Sequence, residues 1–270
     1  MTNFICATCG TQFGETEKPP AGCPICEDVR QYLPPTGQQW TTLDKLRARH
    51  RNAWQSYEPR ALGIGTVPEF AIGQRALLLR TPTGNFLWDC LSLVDEATVA
   101  LIDSLGGLHG IAISHPHYYG AMVEWSRVFA GAPIHLHAAD RAWVMRPDEA
   151  IEFWEGEEKE LAPGLTLVRC GGHFPGGTIM HWREGAAGQG ALLTGDILAV
   201  TPDGMVSFML SYPNAIPLPA AAVQAIGQKV GRLGFDRVYG AFWERVIWSG
   251  GRGAVERSVT RYLAAIESSG

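Results

Sequence analysis

Two pairs of cysteines near the N-terminus constrain the fold of this chain more than any other feature. Cys6 and Cys9 form the motif CATC, and Cys23 and Cys26 form CPIC. Each C-x2-C pair lets two thiolates close around one metal ion, so two pairs supply a tetrahedral shell of four sulfurs. The residues between the pairs are polar and rich in Gly and Pro, which indicates a loop. The sequence therefore predicts a closed, structural zinc site, with iron or a disulfide pairing as lesser alternatives.

The composition defines the class of protein to which such a site would belong. The chain has 270 residues, of which 46% are hydrophobic and 18% are charged, which allows one large domain with a small appendage. A net charge of −5 and the lack of basic clusters near the motifs argue against nucleic acid as a partner. Neither a secretory leader nor an apolar run of membrane-spanning length is present, so we expect no membrane partner and a cytoplasmic protein.

Hydrophobic periodicity predicts an α/β body after the cysteine segment. A linker, residues 34–40, leads to an expected helix over residues 41–56, with Leu43 and Leu46 on one face. Strands dominate next, and strands and helices then alternate, which indicates two β-sheets covered by helices. The expected strands are residues 61–67, 75–81, 86–90, 108–114, 133–137, 164–170, 178–182, 191–196 and 237–240. The expected later helices are residues 96–105, 121–129, 219–233 and 254–266.

Three histidines and one aspartate stand at the ends of predicted strands. His115 and His117 follow the apolar run LHGIAIS, His173 lies between paired glycines in CGGHFPGGT, and Asp196 ends LLTGD. Each residue alone would be read as structural, but three imidazoles and a carboxylate on separate strand ends form an open nitrogen and oxygen site. Such a site suits zinc or non-haem iron, with a position left for water.

The order and spacing of these motifs resemble the metallo-β-lactamase-fold superfamily, which includes glyoxalase II-like and lactonase-like hydrolases. The resemblance covers residues 61–270 and implies a four-layered αββα sandwich. The rubredoxin-like zinc knuckle of four cysteines that precedes it is not standard in the superfamily. SHPHYYG matches the first half of the HxHxDH signature, and GGHFPGGT resembles the GHTPG segment. LWDC resembles the strand that ends in an acid with a structural role or a role in supporting the metal ligands, here Asp89. On this alignment the open-site metal ligands are His115, His117, His173 and Asp196. His135 and His137 have no such role, so we treat them as structural.

The departures from this pattern indicate that a second metal site has been lost. Tyr119 and Gly120 stand where the signature has Asp and its last His, and residues 238–244, VYGAFWE, lack the expected late histidine. A single open metal site therefore remains. The predicted domains are a knuckle at residues 1–36, a linker and helix at 37–60, and a metallo-β-lactamase-like domain at 61–270.

The resemblance implies a metal-dependent hydrolase. Zinc at the open site would hold a hydroxide that attacks an ester, lactone or thioester, with Asp196 completing the shell or acting as general base. Tyr118 or Tyr119 would donate to the developing oxyanion, or would pack at the mouth of the site. Aromatic residues near the motifs favour a small apolar or acyl substrate, and a homo-oligomer is compatible with the sequence.

Two alternatives to hydrolysis remain open at this stage. One is a mononuclear Fe(II) dioxygenase of the persulfide type, in which His115, His173 and Asp196 form a triad around iron. The other is a catalytically silent protein that binds a metal or a ligand.

Overall fold

A computed structural model describes residues 1–267 of the chain. These residues divide into two compact units, Met1–Trp154 and a second that begins at Glu155. No helix in the described part of the chain combines the length and the apolar character needed to cross a membrane.

The first unit contains the cysteine segment and a mixed β-sheet. Its strands are β1 (Thr2–Cys6), β2 (Gln12–Thr16), β3 (Trp40–Thr41), β4 (Arg51–Glu58), β5 (Ala61–Val67), β6 (Arg75–Thr81), β7 (Gly84–Trp88), β8 (Gly110–Ala112), β9 (Ile134–His137) and β10 (Ile151–Trp154). Its α-helices are α1 (Pro24–Glu27), α2 (Leu43–Arg49), α3 (Glu96–Ser104) and α4 (Met122–Val128), and its 3-10 helices are Pro116–Tyr118 and Ala138–Trp143.

The mixed sheet has the strand order β10-β9-β8-β7-β6-β5-β4. Strands β4 to β7 pair antiparallel, whereas β7 to β10 pair parallel. Because the carboxyl ends of parallel strands meet at one edge of a sheet, the residues that follow β7 and β8 lie close together. These residues are Asp89 and the segment that carries His115 and His117.

The helix expected over residues 41–56 is only partly present. Helix α2 ends at Arg49, and residues 51–58 form strand β4, so the second half of that prediction is wrong. The Thr42 side chain caps the start of α2 by accepting from Lys45 N, and Leu46 is buried beneath it. Beyond Arg49, pairing of β4 with β5, with Trp54 opposite Ile64, satisfies the backbone and overrides local helix propensity.

The second unit is a largely antiparallel sheet with two long helices. Its strands are β11 (Glu158–Ala162), β12 (Leu165–Arg169), β13 (Thr178–Trp182), β14 (Ala191–Gly195), β15 (Ala199–Val200), β16 (Val206–Ser207), β17 (Met209–Ser211), β18 (Ile216–Pro217), β19 (Arg237–Gly240) and β20 (Val246–Ile247). Its helices are α5 (Gly185–Gly188), α6 (Ala220–Val230) and α7 (Gly251–Glu267).

The main sheet of this unit has the order β11-β12-β13-β14-β19-β20, in which β14 and β19 are the parallel pair. Helix α6 buries Val223, Ile226 and Val230, which are spaced to share one helical face. These side chains join one hydrophobic cluster with Leu192 and Val238 of the sheet. Strand β14, which ends directly before Asp196, therefore shares a hydrophobic core with helix α6.

Candidate metal centres

The four cysteines of the two C-x2-C pairs come together as predicted. Their sulfurs all lie within 4.8 Å of one another, and all four side chains are buried. Two of the Sγ–Sγ separations are 3.5 Å, between Cys6 and Cys26, and 3.7 Å, between Cys9 and Cys23. A tetrahedral ion with metal–sulfur bonds of about 2.3 Å requires sulfurs roughly 3.8 Å apart, so this cluster fits one metal ion bound by all four thiolates.

The ionisation of these thiols depends on their neighbours in the cluster. Hydrogen bonding with Cys23 lowers the pKa of the Cys6 thiol but raises the pKa values of Cys9 and Cys26. Four thiolates in one buried cluster repel one another, and a divalent cation removes that repulsion.

The cysteine segment docks on its own chain. Phe13, Ile25 and the cysteines share a core with Ile72, Trp143 and Met145 from later in the first unit. Backbone hydrogen bonds add to this contact, including one of 3.1 Å from Gly14 N to Met145 O. The knuckle, which we define as residues 1–36, is thus packed into the first unit.

In the first unit, Asp89 and Ser114 position the segment that carries His115 and His117. Asp89 Oδ1 accepts a hydrogen bond of 2.8 Å from Ser114 N, and Asp89 itself is buried with a left-handed φ of 59°. Ser114 Oγ and His115 Nδ1 are hydrogen-bonded at 2.9 Å. A partner at Nδ1 directs a metal ion to Nε2, so this contact is one expected for a candidate metal ligand.

The chain then turns through the 3-10 helix Pro116–Tyr118, which carries His117. The rings of His115 and His117 lie 5.2 Å apart between centroids, and both side chains are buried. Proline at the start of this turn restricts the backbone and helps to hold the two imidazoles close together.

In the second unit, two glycines shape the loop that carries His173. Gly171 and Gly172 both have left-handed φ values, 71° and 81°, which confirms that the paired glycines permit a sharp turn. His173 Nδ1 donates a hydrogen bond of 3.0 Å to Met209 O, which again directs a metal ion to Nε2.

Tyr212 links His173 to the end of strand β14. Its ring lies 5.7 Å from the His173 ring between centroids, and its hydroxyl donates a hydrogen bond of 2.9 Å to the backbone oxygen of Asp196. Burial raises the pKa of the Tyr212 hydroxyl, and the nearby Asp196 carboxylate raises it further. Tyr212 thus remains protonated and keeps its hydrogen bond across the ordinary pH range.

The three histidines form the second group of candidate metal ligands. One ring nitrogen of each of His115, His117 and His173 lies within 4.8 Å of the other two, and all three side chains are buried. Neutral imidazoles in such a group fit zinc or iron. The role of Asp196 as a further ligand stays a prediction.

The two tyrosines predicted near the site have different surroundings. Tyr118 is fully buried with its ring 4.4 Å from that of His115, between centroids. Tyr119 lines a small cavity with Thr11, Gln12 and Arg146, on the side of the knuckle. Burial raises the pKa of Tyr119, and the Asp140 carboxylate raises it further. Tyr118 is therefore the better placed of the two to act near the histidines, and the catalytic role of either stays a prediction.

His135 and His137, which we treated as structural, lie on strand β9. His135 Nδ1 is 3.2 Å from Glu152 Oε2 on the neighbouring strand, and the His137 ring contacts Trp154 at 4.5 Å between centroids. Ala139 N also donates to His137 Nδ1, at 3.2 Å. These contacts join β9 to β10 and to the 3-10 helix that follows.

Sequence reasoning missed the residues that orient the ligands. Ser114 stands directly before His115, so its position was a usable signal. Met209 and Tyr212 lie far from His173 in the sequence, and no motif marks them. Their contribution depends on tertiary structure alone.

Comparison with solved structures defines the class of fold. The chain is similar to a crystal structure of DIM-1 metallo-β-lactamase, with 12% identity and a TM-score of 0.60 over 82% of this chain and 99% of that one. It is also similar to VMB-1 at pH 5.5, with 12% identity and a TM-score of 0.60 over 80% and 98% of the two chains. The metallo-β-lactamase SMB-1 in a complex with mercaptoacetic acid shows 20% identity and a TM-score of 0.51 over 78% and 91%. At these identities the likeness is one of fold, and the predicted metallo-β-lactamase fold is confirmed.

A sequence relative defines the family more closely. The chain is 48% identical over 271 residues to "Uncharacterized protein YmaE" of Bacillus subtilis (strain 168). The alignment covers 99% of this chain and 98% of that protein. The chain therefore belongs to the same family as that protein. No family model matches the sequence.

Proposed function

We propose that this protein is a metal-dependent hydrolase with a mononuclear open site. The observation that carries the proposal is the grouping of His115, His117 and His173, whose donor nitrogens lie within 4.8 Å of one another in a chain with the metallo-β-lactamase fold. The names of DIM-1 and SMB-1 as metallo-β-lactamases add support for hydrolysis as the reaction class.

Each residue near the proposed site would have a distinct role. His115, His117 and His173 would hold the ion, with Ser114 and Met209 O fixing the orientation of two of the rings. A bound zinc ion would lower the pKa of a water molecule to about 7 and polarise a carbonyl oxygen. Asp196, buried at the end of β14, would complete the shell or accept a proton from the attacking water. Tyr118 would donate its hydroxyl proton in a hydrogen bond to the oxygen on which negative charge develops.

The aromatic neighbours of the histidines support a proposal for the substrate class. Tyr118 and Phe174 are fully buried beside the histidines, with the Phe174 ring 5.2 Å from that of His173. Aromatic side chains next to the histidines favour a small apolar or acyl substrate, such as an ester, lactone or thioester. We also propose a cytoplasmic location, because thiols that bind a metal ion as a group of four must stay reduced.

Metal content and turnover test the proposal together. We expect about two metal ions per chain in protein purified without added metal, and about one in His173→Ala, with loss of ester, lactone or thioester hydrolysis. His109→Ala is the matched control, because His109 is exposed and belongs to neither group of ligands. It should retain both metals and full activity.

Two outcomes would overturn the hydrolase proposal. In the first, His173→Ala keeps the metal content and turnover of the original protein. In the second, the open site contains iron and the protein consumes oxygen with a persulfide, which would establish the dioxygenase alternative instead.

A further inference from the structure

We propose that the four-cysteine knuckle positions the histidine loop, residues 113–121, and that metal binding by the knuckle strengthens metal binding by His115 and His117. The second half of this proposal rests on the proposed function, in which these histidines are metal ligands. Hydrogen bonds connect residues 10–14 of the knuckle to that loop, directly and through residues 90–92, all within the first unit.

The first connection is direct. Gln12 N donates a hydrogen bond of 2.9 Å to Gly120 O, and Gln12 is buried. Gly120 has a left-handed φ of 49°, and a Cβ atom there would lie 2.7 Å from both the carbonyl carbon and the oxygen of Leu91. The loop is thus held closely between the backbone of Leu91 and strand β2 of the knuckle. Only glycine fits this position without displacing backbone.

The second connection runs through residues 90–92. Ser92 Oγ donates a buried hydrogen bond of 2.7 Å to Gly10 O of the knuckle. On the other side, Cys90 N donates to Tyr118 O at 3.2 Å, and Ala121 N donates to Leu91 O at 3.0 Å. Residues 90–92 therefore bond to the knuckle and to the second half of the histidine loop, directly after His117.

The third connection uses a buried arginine. Arg146 donates hydrogen bonds to Gln12 Oε1 and, at 2.5 Å, to Glu124 Oε1 of helix α4, which follows the loop. Arg146 is only 6% exposed and Glu124 is partly buried, so this bridge is partly shielded from competing water. It joins strand β2 to the helix that begins where the loop ends.

The knuckle residues that make these contacts depend on the cysteine cluster for their conformation. Gly10 N donates to Cys6 O at 2.9 Å, and Cys6 N donates to Thr11 O at 3.0 Å, which sets the turn directly after Cys9. The cluster has few buried apolar side chains besides the cysteines, so the metal supplies much of the stability of this segment.

The consequence is a coupling between the two metal centres. When the knuckle is loaded, the loop is ordered before His115 and His117 meet their ion, and less conformational entropy is lost on binding. Tyr119 and Gly120, which replace the second-metal ligands of the resembled signature, are the loop residues that contact the knuckle side. In this chain the knuckle therefore orders the loop at the positions where the resembled signature has ligands of a second metal.

Hydrogen exchange and cobalt titration of Cys23→Ala test the coupling. We expect the variant to lose the knuckle metal, amide protection in residues 113–121 to fall about tenfold, and Co²⁺ affinity of the histidine site to fall about tenfold. Thiolate-to-cobalt charge-transfer absorption distinguishes cobalt bound to cysteines from cobalt bound to histidines. The matched control is Cys170→Ala, which removes a buried thiol from the second unit and should change neither quantity. Strand β13, in that same unit, serves as the internal exchange reference.

A second variant keeps the test decisive if Cys23→Ala does not fold. Ser92→Ala removes the hydroxyl bond to Gly10 and leaves every cysteine in place, so we expect about threefold lower protection of the loop with the knuckle metal retained. The coupling is refuted if loop protection and cobalt affinity match those of the original protein in a folded Cys23→Ala, or in Ser92→Ala.

The exchange measurement also separates this proposal from the proposed function. If the original protein binds no cobalt through its histidines, the hydrolase proposal fails. The protection of residues 113–121 still reports whether the knuckle orders the loop.

Discussion

Replacing Gly120 by alanine should destabilise the protein more than any ordinary glycine substitution in a turn. The backbone at Gly120 has a φ of 49°, which costs an L-residue about 1–2 kcal/mol. The new Cβ would also lie 2.7 Å from the carbonyl carbon and oxygen of Leu91, and these backbone atoms cannot rotate away. Relief of that overlap adds about 1–3 kcal/mol, so the total is about 2–5 kcal/mol.

Gly131→Ala provides the matched control. Gly131 lies in the same unit with a φ of 77°, but a Cβ atom there would meet no heavy atom within 4 Å. Its substitution should therefore cost only the conformational term of about 1–2 kcal/mol. The difference between the two variants isolates the cost of the close approach to Leu91.

The assay is urea-induced unfolding followed by circular dichroism at a fixed free concentration of zinc, since a bound metal adds to the apparent stability. We expect the midpoint for Gly120→Ala to lie well below that for Gly131→Ala, with similar denaturant slopes. Equal midpoints for the two variants would refute the reasoning, because the loop would then have room to accept a methyl group.

Three further predictions concern the thiols, a surface carboxylate and an acid near the site. Burial raises the pKa of the Cys170 thiol to about 12 and also raises that of Cys90, so neither should be alkylated by iodoacetamide at neutral pH unless the protein unfolds. Hydrogen bonds from Thr201 and Arg261 lower the pKa of Asp203 from 3.8 to about 2, so its carboxylate stabilises the fold above the unfolded pKa and this contribution is lost as pH falls through the folded value. The difference in free energy of unfolding between the original protein and Asp203→Asn should therefore become smaller as the pH is lowered from 3.8 to about 2. Asp89→Ala should weaken metal binding at the histidines by about 10- to 100-fold, while Asp89→Asn, which keeps an acceptor for Ser114 N and tolerates the left-handed φ, should retain most of it.

The four-cysteine cluster and the three histidines could be predicted because their chemistry is carried by residue type and short spacing. A C-x2-C pair places two sulfurs around one ion whatever surrounds it, and the sulfurs of Cys6 and Cys26 meet as expected. The strands over residues 61–67 and 75–81 were also predicted with their observed bounds, because each is a short run of apolar residues bounded by turn residues.

The end of helix α2 at Arg49 could not be predicted from the local sequence pattern. The local pattern predicted that the helix continues to residue 56, but pairing of residues 51–58 with strand β5 decides the outcome. The extra strands β10 and β11 were missed for the same reason, since pairing with β9 and β12 defines them. Strand structure is stabilised by neighbours that a local pattern does not contain.

By itself, the sequence determined which atoms can bind metal and roughly where strands deliver them, because donor chemistry and motif spacing are local properties. Only the tertiary structure decided how those atoms are oriented and supported. Met209 O orients His173, which lies 36 positions away in the sequence. Ser92 and Gln12 connect the knuckle to the loop of His115 through bonds to Gly10 and Gly120, which lie 82 and 108 positions from them. Such contacts arise from the packing of whole strands and loops, and a hydrogen bond from a backbone atom leaves no mark on residue type. The position of the knuckle against the histidine loop is therefore a property of the fold.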